Sequence, residues 1–273
     1  MAKIGIFDSG VGGLSVFREI RKVLPEECYI YYSDSANCPY GEKSQEAIIE
    51  RCRTITEFLL SEGADIIVVA CNTATAAAIK TLREAYNVKF IGMEPAIKPA
   101  AQMTESGVVG VLATAGTLSS EKYLRHKEKY ASDIRIVEHV GEGFVELVEK
   151  GITTGSEAIS IVSKSLEPLL QAGADTIVLG CTHYPFLADA IKEAAGMICG
   201  GTEIKIIDPA PAIAKRLIEV MNEERITYNS PYNSSSSEQS PENLQLIKPV
   251  ACMVSLHTSG DMDILQKIYS TLT

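Results

Sequence analysis

The stretch Gly63-Ala-Asp-Ile-Ile-Val-Val-Ala-Cys-Asn-Thr73 occurs twice, returning as Gly173-Ala-Asp-Thr-Ile-Val-Leu-Gly-Cys-Thr-His183. Six of the eleven positions are identical at a constant offset of 110, so Cys71 corresponds to Cys181. Each copy holds an apolar, β-branched run, the form of a strand buried on both faces. Each run ends on a cysteine and small polar residues. Helix-like sequence follows, Ala74 to Glu84 in one copy and Phe186 to Ala194 in the other. The two thiols are therefore expected at the carboxyl ends of two parallel strands, the edge at which open α/β sheets bind ligands. One thiol in such a place is as easily a buried core residue. Two at equivalent positions of a repeat favour a shared site.

The repeat extends outward. Ile4-Gly-Ile-Phe-Asp-Ser9 is echoed by Val109-Gly-Val-Leu-Ala-Thr114 at an offset of 105, pairing Ser9 with Thr114 and Asp8 with Ala113. Gly116-Thr117-Leu118 echoes Gly12-Gly13-Leu14 more loosely. Strands are expected at Lys3–Phe7, Tyr29–Ser33, Lys89–Gly92, Val108–Ala113, Ile134–Glu138 and Glu203–Ile207, with helices between them. Ser44 is expected to cap a long helix and Asp261 the last one. Glu94-Pro-Ala opens a helix with Pro95 near its first turn. Pro168 perturbs the last turn of a helix over Ser156–Gln171. Asn229 to Asn243 is rich in Ser, Asn and Pro, and its Ser234 to Ser237 run is expected to be a mobile surface loop. Val250–His257 is a late strand returning to the first half. The fold class is α/β, with two pseudo-symmetric parallel-sheet lobes facing one cleft. Residues 1–96 plus 209–273 form the first lobe and residues 97–208 the second.

Composition narrows the function. The 273 residues are 46% hydrophobic, ample for packed cores, and carry a net charge of −10 without a basic run. That balance argues against nucleic acid as the main partner. No apolar stretch reaches the ~18 residues of a membrane span, and the first residues show no signal-peptide pattern. Seven cysteines, scattered and without CxxC, point to reduced thiols and a cytoplasmic protein. Cys38 and Cys52 have no counterpart in the second half and are read as structural. The glycines after Asp8 do not form GxGxxG or a P-loop. They suit a tight strand-to-helix turn and close approach to backbone. Asp8 itself is either a turn residue or a site carboxylate.

Two similar lobes, face to face, bring one thiol to each side of a ligand. An unperturbed thiol titrates near ~8.5, and a thiolate is a competent base near neutrality. Asn72, Thr73, Thr182 and Ser9 offer donors for carboxylate oxygens. A pseudo-symmetric acid/base pair suits removal of a proton from one face of a carbon and delivery to the other, which is racemisation or epimerisation. Neither cysteine sits in a metal-ligand spacing, so no metal and no cofactor are expected.

The motifs Asp8-Ser-Gly-Val-Gly-Gly-Leu, Pro39-Tyr-Gly, Cys71-Asn-Thr-Ala, Gly110-Val-Leu-Ala-Thr with Gly116-Thr, Gly180-Cys-Thr-His-Tyr-Pro and Thr258-Ser-Gly-Asp run in order along the chain. Together they resemble the glutamate racemase family over nearly its whole length. The resemblance implies cofactor-independent interconversion of L- and D-glutamate, serving peptidoglycan synthesis. It implies that Cys71 handles the proton of D-glutamate and Cys181 that of L-glutamate. Asp8 and Asp34 would assist Cys71; His183 and Glu149 would assist Cys181. Asp8, Ser9, Tyr40, Gly41, Asn72, Thr73, Thr114, Thr117, Thr182 and His183 would contact substrate. Glutamate is the implied small-molecule partner, with neither nucleic acid nor membrane, and a homodimer is compatible. Gly141-Glu142 stands where many members carry Cys-Pro, which touches the wall near Glu149. An aspartate racemase of the same superfamily and a non-catalytic amino-acid-binding protein are the competing readings.

Overall fold

The computed structural model describes residues 1–130, 132–201, 203–228 and 253–272. The repeated stretches form β3 (Ile66–Val69) and β7 (Thr176–Gly180), and every residue of both is buried. A strand covered on both faces has no polar side to show, which is why neither run alternates. β3 lies in a sheet with β1 (Lys3–Asp8), β2 (Cys28–Ser33), β4 (Lys89–Gly92) and β9 (Val254–Thr258), in the order β4-β3-β1-β2-β9. β7 lies in a second sheet with β5 (Val108–Ala113), β6 (Arg135–Val140) and β8 (Lys205–Ile207), in the order β6-β5-β7-β8. Every neighbouring pair is parallel. Read backwards, the second order is β8-β7-β5-β6, which matches β4-β3-β1-β2. The sequence repeat is thus a repeat of strand order, and β9 is an addition beside β2.

Period-two alternation in burial partners sorts the side chains of the first sheet. Ile4, Ile6, Ile66 and Val68 face one way, into the core made with α1 (Leu14–Val23) and α10 (Ala210–Glu223). Phe7, Ile67 and Val69 face the other, against Ile55 and Leu59 of α2 (Gln45–Ser61) and Ala78 and Leu82 of α3 (Asn72–Ala85). In the second sheet, Val109, Val111 and Val178 pack on α4 (Ile97–Met103) and α6 (Glu121–Tyr130). Leu112, Ile177 and Leu179 join the first core, together with α7 (Phe144–Glu149), α8 (Gly155–Gln171) and α9 (Ala188–Ile198). One apolar core therefore continues from sheet to sheet, with the short α5 (Ala115–Leu118) and the final α11 (Met262–Ser270) completing the helices described.

Ser44 accepts from the Ala47 N–H at 3.3 Å, and Asp261 accepts from the N–H groups of Asp263 and Ile264, so both expected caps form. Several helix starts differ from expectation; α3 begins at Asn72, two residues before Ala74. α4 begins at Ile97, not at Pro95. Starting there places Pro99 in the first turn, where a missing N–H breaks no helical hydrogen bond. α9 begins at Ala188 because a 3₁₀ turn, Tyr184–Leu187, precedes it. α8 runs through Pro168 to Gln171. The expected loop within Asn229–Asn243 and the first residues of the late strand, Val250 to Cys252, lie outside the described residues. The described cysteines Cys28, Cys38, Cys52, Cys71 and Cys181 are not in disulfides. Among the described residues no helix is long and apolar enough to cross a membrane.

Gly180 closes β7 directly before Cys181. A Cβ there would lie 2.7 Å from Ala113 Cβ and 3.1 Å from the Leu112 carbonyl oxygen. Both neighbours are fixed to the backbone of β5 and cannot rotate away. Gly180→Ala is expected to lower stability by about 1–3 kcal/mol, the usual range for overpacking. A chemical denaturation midpoint that matches wild type would show that the strands separate at little cost.

Candidate active site

The first sheet supplies one side of the site. β1 ends on Asp8, which is fully buried, and the chain turns sharply into α1. The Gly13 N–H donates to Asp8 Oδ2 at 2.7 Å, so the carboxylate holds the turn. The sequence left open whether Asp8 is a turn residue or a site carboxylate; it occupies both positions. β3 leads to Cys71, whose sulfur accepts from the Ala74 N–H at 3.4 Å and caps α3. The Cys71 thiol donates to Ser9 Oγ at 3.6 Å. Burial pushes this thiol well above its ordinary range, and the negative charge of Asp8 adds to the effect. Burial also raises Asp8, against the opposing pull of His183 and a hydrogen bond with Cys71.

The second sheet supplies the other side. Cys181 follows β7 and is 7% exposed, against 5% for Cys71. His183 Nδ1 lies 3.8 Å from Cys181 Sγ. On the opposite edge of the ring, Nε2 lies 2.6 Å from Glu149 Oε1. Burial alone would drive the imidazole neutral, yet its hydrogen bonds to Cys181, Cys38 and Glu149 prevail, and its pKa stands well above the ordinary value. Burial likewise disfavours ionised Glu149, but hydrogen bonding and attraction from His183 bring its carboxyl below the usual range. The two form an imidazolium–carboxylate pair.

Contacts from the first sheet fix that pair. The Val11 N–H donates to Glu149 Oε1 at 2.7 Å, and the Ser35 hydroxyl to Oε2 at 3.1 Å. A Cβ on Gly10 would collide with Glu149, and one on Gly12 with His183. The glycines expected to admit a ligand instead admit these two side chains. Three more polar contacts cross between the sheets. Thr182 Oγ1 donates to Asp8 Oδ2 at 3.3 Å, Ser15 Oγ to the Thr182 carbonyl at 2.9 Å, and Thr73 and Thr114 hydroxyls meet at 3.0 Å. The Thr114 hydroxyl donates on to Thr117 Oγ1 at 3.0 Å. Gly41 lies against Thr114, whose Cβ would be 3.3 Å from a Cβ placed on the glycine. Asn72 Oδ1 is buried without a hydrogen-bond partner.

Not every expected residue reaches the sulfurs. Asp34 is fully buried, and its oxygens are taken by Arg51 at 2.8 and 3.0 Å, by the Tyr40 hydroxyl at 2.6 Å and by Asn37 at 3.1 Å. Burial opposes its ionisation, but these donors, Arg51 foremost, hold its carboxyl below the usual range. Asp34 and Tyr40 thus anchor the loop that carries Cys38 and Gly41. Sequence reasoning missed Ser15, Ser35 and Arg51, and read Cys38 as structural, whereas its thiol points at Glu149 Oε1 from 3.9 Å. The partners of Ser15, Ser35 and Cys38 lie more than 100 positions away and that of Arg51 lies 17 away, so none leaves a local signal. A groove of about 810 Å³ opens elsewhere, between β4 and α10, lined by Arg83, Lys89, Arg216 and Glu223 among others. It contains no thiol or imidazole and so offers no comparable chemistry.

Residues 4–217 match the family model described as Asp/Glu/Hydantoin racemase. The chain belongs to that family. A glutamate racemase of Ectopseudomonas mendocina is 44% identical over 252 residues, 91% of this chain and 94% of the relative. A glutamate racemase isoform of Bacillus anthracis superposes with a TM-score of 0.79 at 29% identity, over 99% of this chain and 93% of that one. An Escherichia coli glutamate racemase, solved with L-glutamate and the activator UDP-MurNAc-ala, superposes with a TM-score of 0.76 at 32% identity. Coverage there is 94% of this chain and 97% of that one.

In this Asp/Glu/hydantoin racemase the His183–Glu149 pair has a definite pH signature. The raised His183 contributes stability that is complete below the ordinary histidine value of ~6.5 and is lost as pH climbs through its folded value. The lowered Glu149 contributes above its ordinary value of 4.5 and is lost as pH falls through its folded value. The pair is therefore intact between those limits. Glu149→Gln is expected to cost about 1.5–3 kcal/mol there, the range for hydrogen bonds to charged groups. The difference from wild type should shrink in acid and again in alkali. Denaturation curves across pH test this; a gap that stays constant would mean the two groups are not ionised together.

Proposed function

We propose that this racemase interconverts L- and D-glutamate without a cofactor, passing the Cα proton between Cys71 and Cys181. One observation carries the reading. Equivalent ends of a duplicated strand present two thiols, each with its own proton-handling group: Asp8 beside Cys71, and the His183–Glu149 pair beside Cys181. The lobes that supply them are residues 1–96 with 209–273, and residues 97–208. Glutamate as substrate is supported by the relatives, which are glutamate racemases, one of them solved with L-glutamate. The product serves peptidoglycan synthesis, and the enzyme works in the cytoplasm.

With L-glutamate bound, Cys181 as thiolate takes the proton from one face of Cα. Cys71, held as a thiol by burial, returns a proton to the other face. The reverse reaction exchanges the roles, with Asp8 accepting the Cys71 proton and His183 serving Cys181 through Nδ1. Ser9, Thr73, Thr114, Thr117 and Thr182 offer hydroxyls to the substrate carboxylates, and Tyr40-Gly41 closes the wall. The unpartnered Asn72 Oδ1 suits the α-ammonium, since an acceptor buried without a donor costs about 1–3 kcal/mol until one arrives. Asp34 acts at one remove, through the loop it holds.

Cys71→Ala and Cys181→Ala should each reduce racemisation by at least about 10²–10⁴-fold, the contribution of a positioned acid or base. A coupled or polarimetric assay with both enantiomers of glutamate and of aspartate reads this. Either variant within tenfold of wild type would sink the two-thiol scheme, and kcat/KM for aspartate at or above that for glutamate would change the substrate. Isotope labelling tests the path itself. When L-glutamate reacts in D₂O and is stopped early, D-glutamate should carry deuterium at Cα while remaining L-glutamate carries little. Early product that retains its original hydrogen would exclude two separate thiols even if both variants were dead.

A further inference from the structure

Cys38 has no step in that proton transfer, yet it shares a cluster with two groups that do. Its sulfur lies 3.9 Å from Glu149 Oε1, and His183 Nε2 lies 2.6 Å from the same oxygen. One donor atom from each of the three residues lies within 4.8 Å of the others. They arrive from separate elements: the loop after β2, the last residue of α7 and the turn after β7. His183 is 1% exposed, and Cys38 and Glu149 are half-buried.

The donor set is chemically selective. Thiolate, imidazole and carboxylate together suit zinc, whereas magnesium and calcium require oxygen donors. In a tetrahedral zinc site with Zn–S near ~2.3 Å and Zn–N or Zn–O near ~2.1 Å, donors stand roughly 3.4–3.6 Å apart. The sulfur–oxygen separation is close to that already. The nitrogen–oxygen separation must open by about 0.8 Å, a small side-chain rotation once the ion replaces the proton between them. The supporting contacts are also in place. Val11 and Ser35 donate to Glu149, and the second ring nitrogen of His183 faces Cys181. Three protein ligands leave the fourth corner to water.

We propose that Cys38, Glu149 and His183 form a binding site for a zinc-type divalent cation, and that its occupation inhibits the enzyme. Binding through Nε2 displaces the thiol proton of Cys38 and the proton shared by His183 and Glu149. The ion then holds the imidazole to one nitrogen and withdraws it from exchange with Cys181. The site stands on geometry alone; only its inhibitory consequence rests on the function proposed above.

Cobalt(II), added to the chelator-stripped full chain, tests the two parts separately. Wild type should bind one equivalent, show a thiolate-to-cobalt charge-transfer band, and lose that band on addition of zinc. A Cys71→Ser, Cys181→Ser double variant should keep the band, because neither thiol is a ligand. Cys38→Ser should lose it, and Glu149→Gln should weaken binding at least about tenfold. In the racemisation assay, Cys38→Ser should need at least about tenfold more zinc than wild type for half-inhibition, each measured against its own zinc-free rate. No band in wild type, or loss of the band in the double variant, overturns the site even if Cys38→Ser fails to fold. A band with no effect of zinc on turnover overturns the inhibition.

Discussion

The carboxylate of Glu149 is the constraint on which the site depends. It belongs to the second sheet's helices, yet it accepts from the Val11 N–H and the Ser35 hydroxyl of the first, and it holds the imidazole that faces Cys181. A charge at this depth is tolerable only with several donors around it. Those donors come from both sheets, so ionised Glu149 requires the sheets to be in register. The backbone that carries the Val11 N–H lies this close only because Gly10, against Glu149, and Gly12, against His183, have no side chains. The turn after β1, the end of α7 and the turn after β7 are thereby parts of one arrangement.

The duplication explains where symmetry holds and where it fails. Strand order repeats, and both thiols follow equivalent strands. The helper groups do not repeat. The position equivalent to Asp8 is Ala113, so the second sheet has no carboxylate at the end of its central strand. Cys181 draws instead on a histidine two residues downstream and a glutamate from α7. The two thiols thus sit between different neighbours, and in the proposed scheme the two directions of proton transfer run through different groups.

Much of this was legible in the chain. Unbroken β-branched runs ending on Cys71 and Cys181 marked buried parallel strands, because burial on both faces leaves no reason to alternate. Ser44 and Asp261 announced their helices through local capping chemistry. The start of α4 was harder, since it depends on where Pro99 can be accommodated and not on Pro95 alone. The site was legible only in part. His183 stood beside Cys181 in the sequence, but nothing near Asp34 pointed to Arg51, and nothing near Cys38 pointed to Glu149. The Cys38–Glu149 pairing arises from how two sheets meet and the Asp34–Arg51 pairing from how α2 packs beside β2, and no local pattern encodes either.

The chain crosses between the sheets after β4 and again after β8, and each crossing carries an acidic residue, a proline and an alanine: Glu94-Pro95-Ala96 and Asp208-Pro209-Ala210. Both crossings line the same small recess, so they run side by side. A single tether would let one half swivel freely against the other. Two adjacent tethers, each stiffened by a ring that locks one backbone torsion, hold the halves at two neighbouring points. Neither cysteine is more than 7% exposed, so in this arrangement both thiols are shut away from solvent. Should the halves part to admit a ligand, these two crossings are the covalent links that bring the thiols back to the same arrangement.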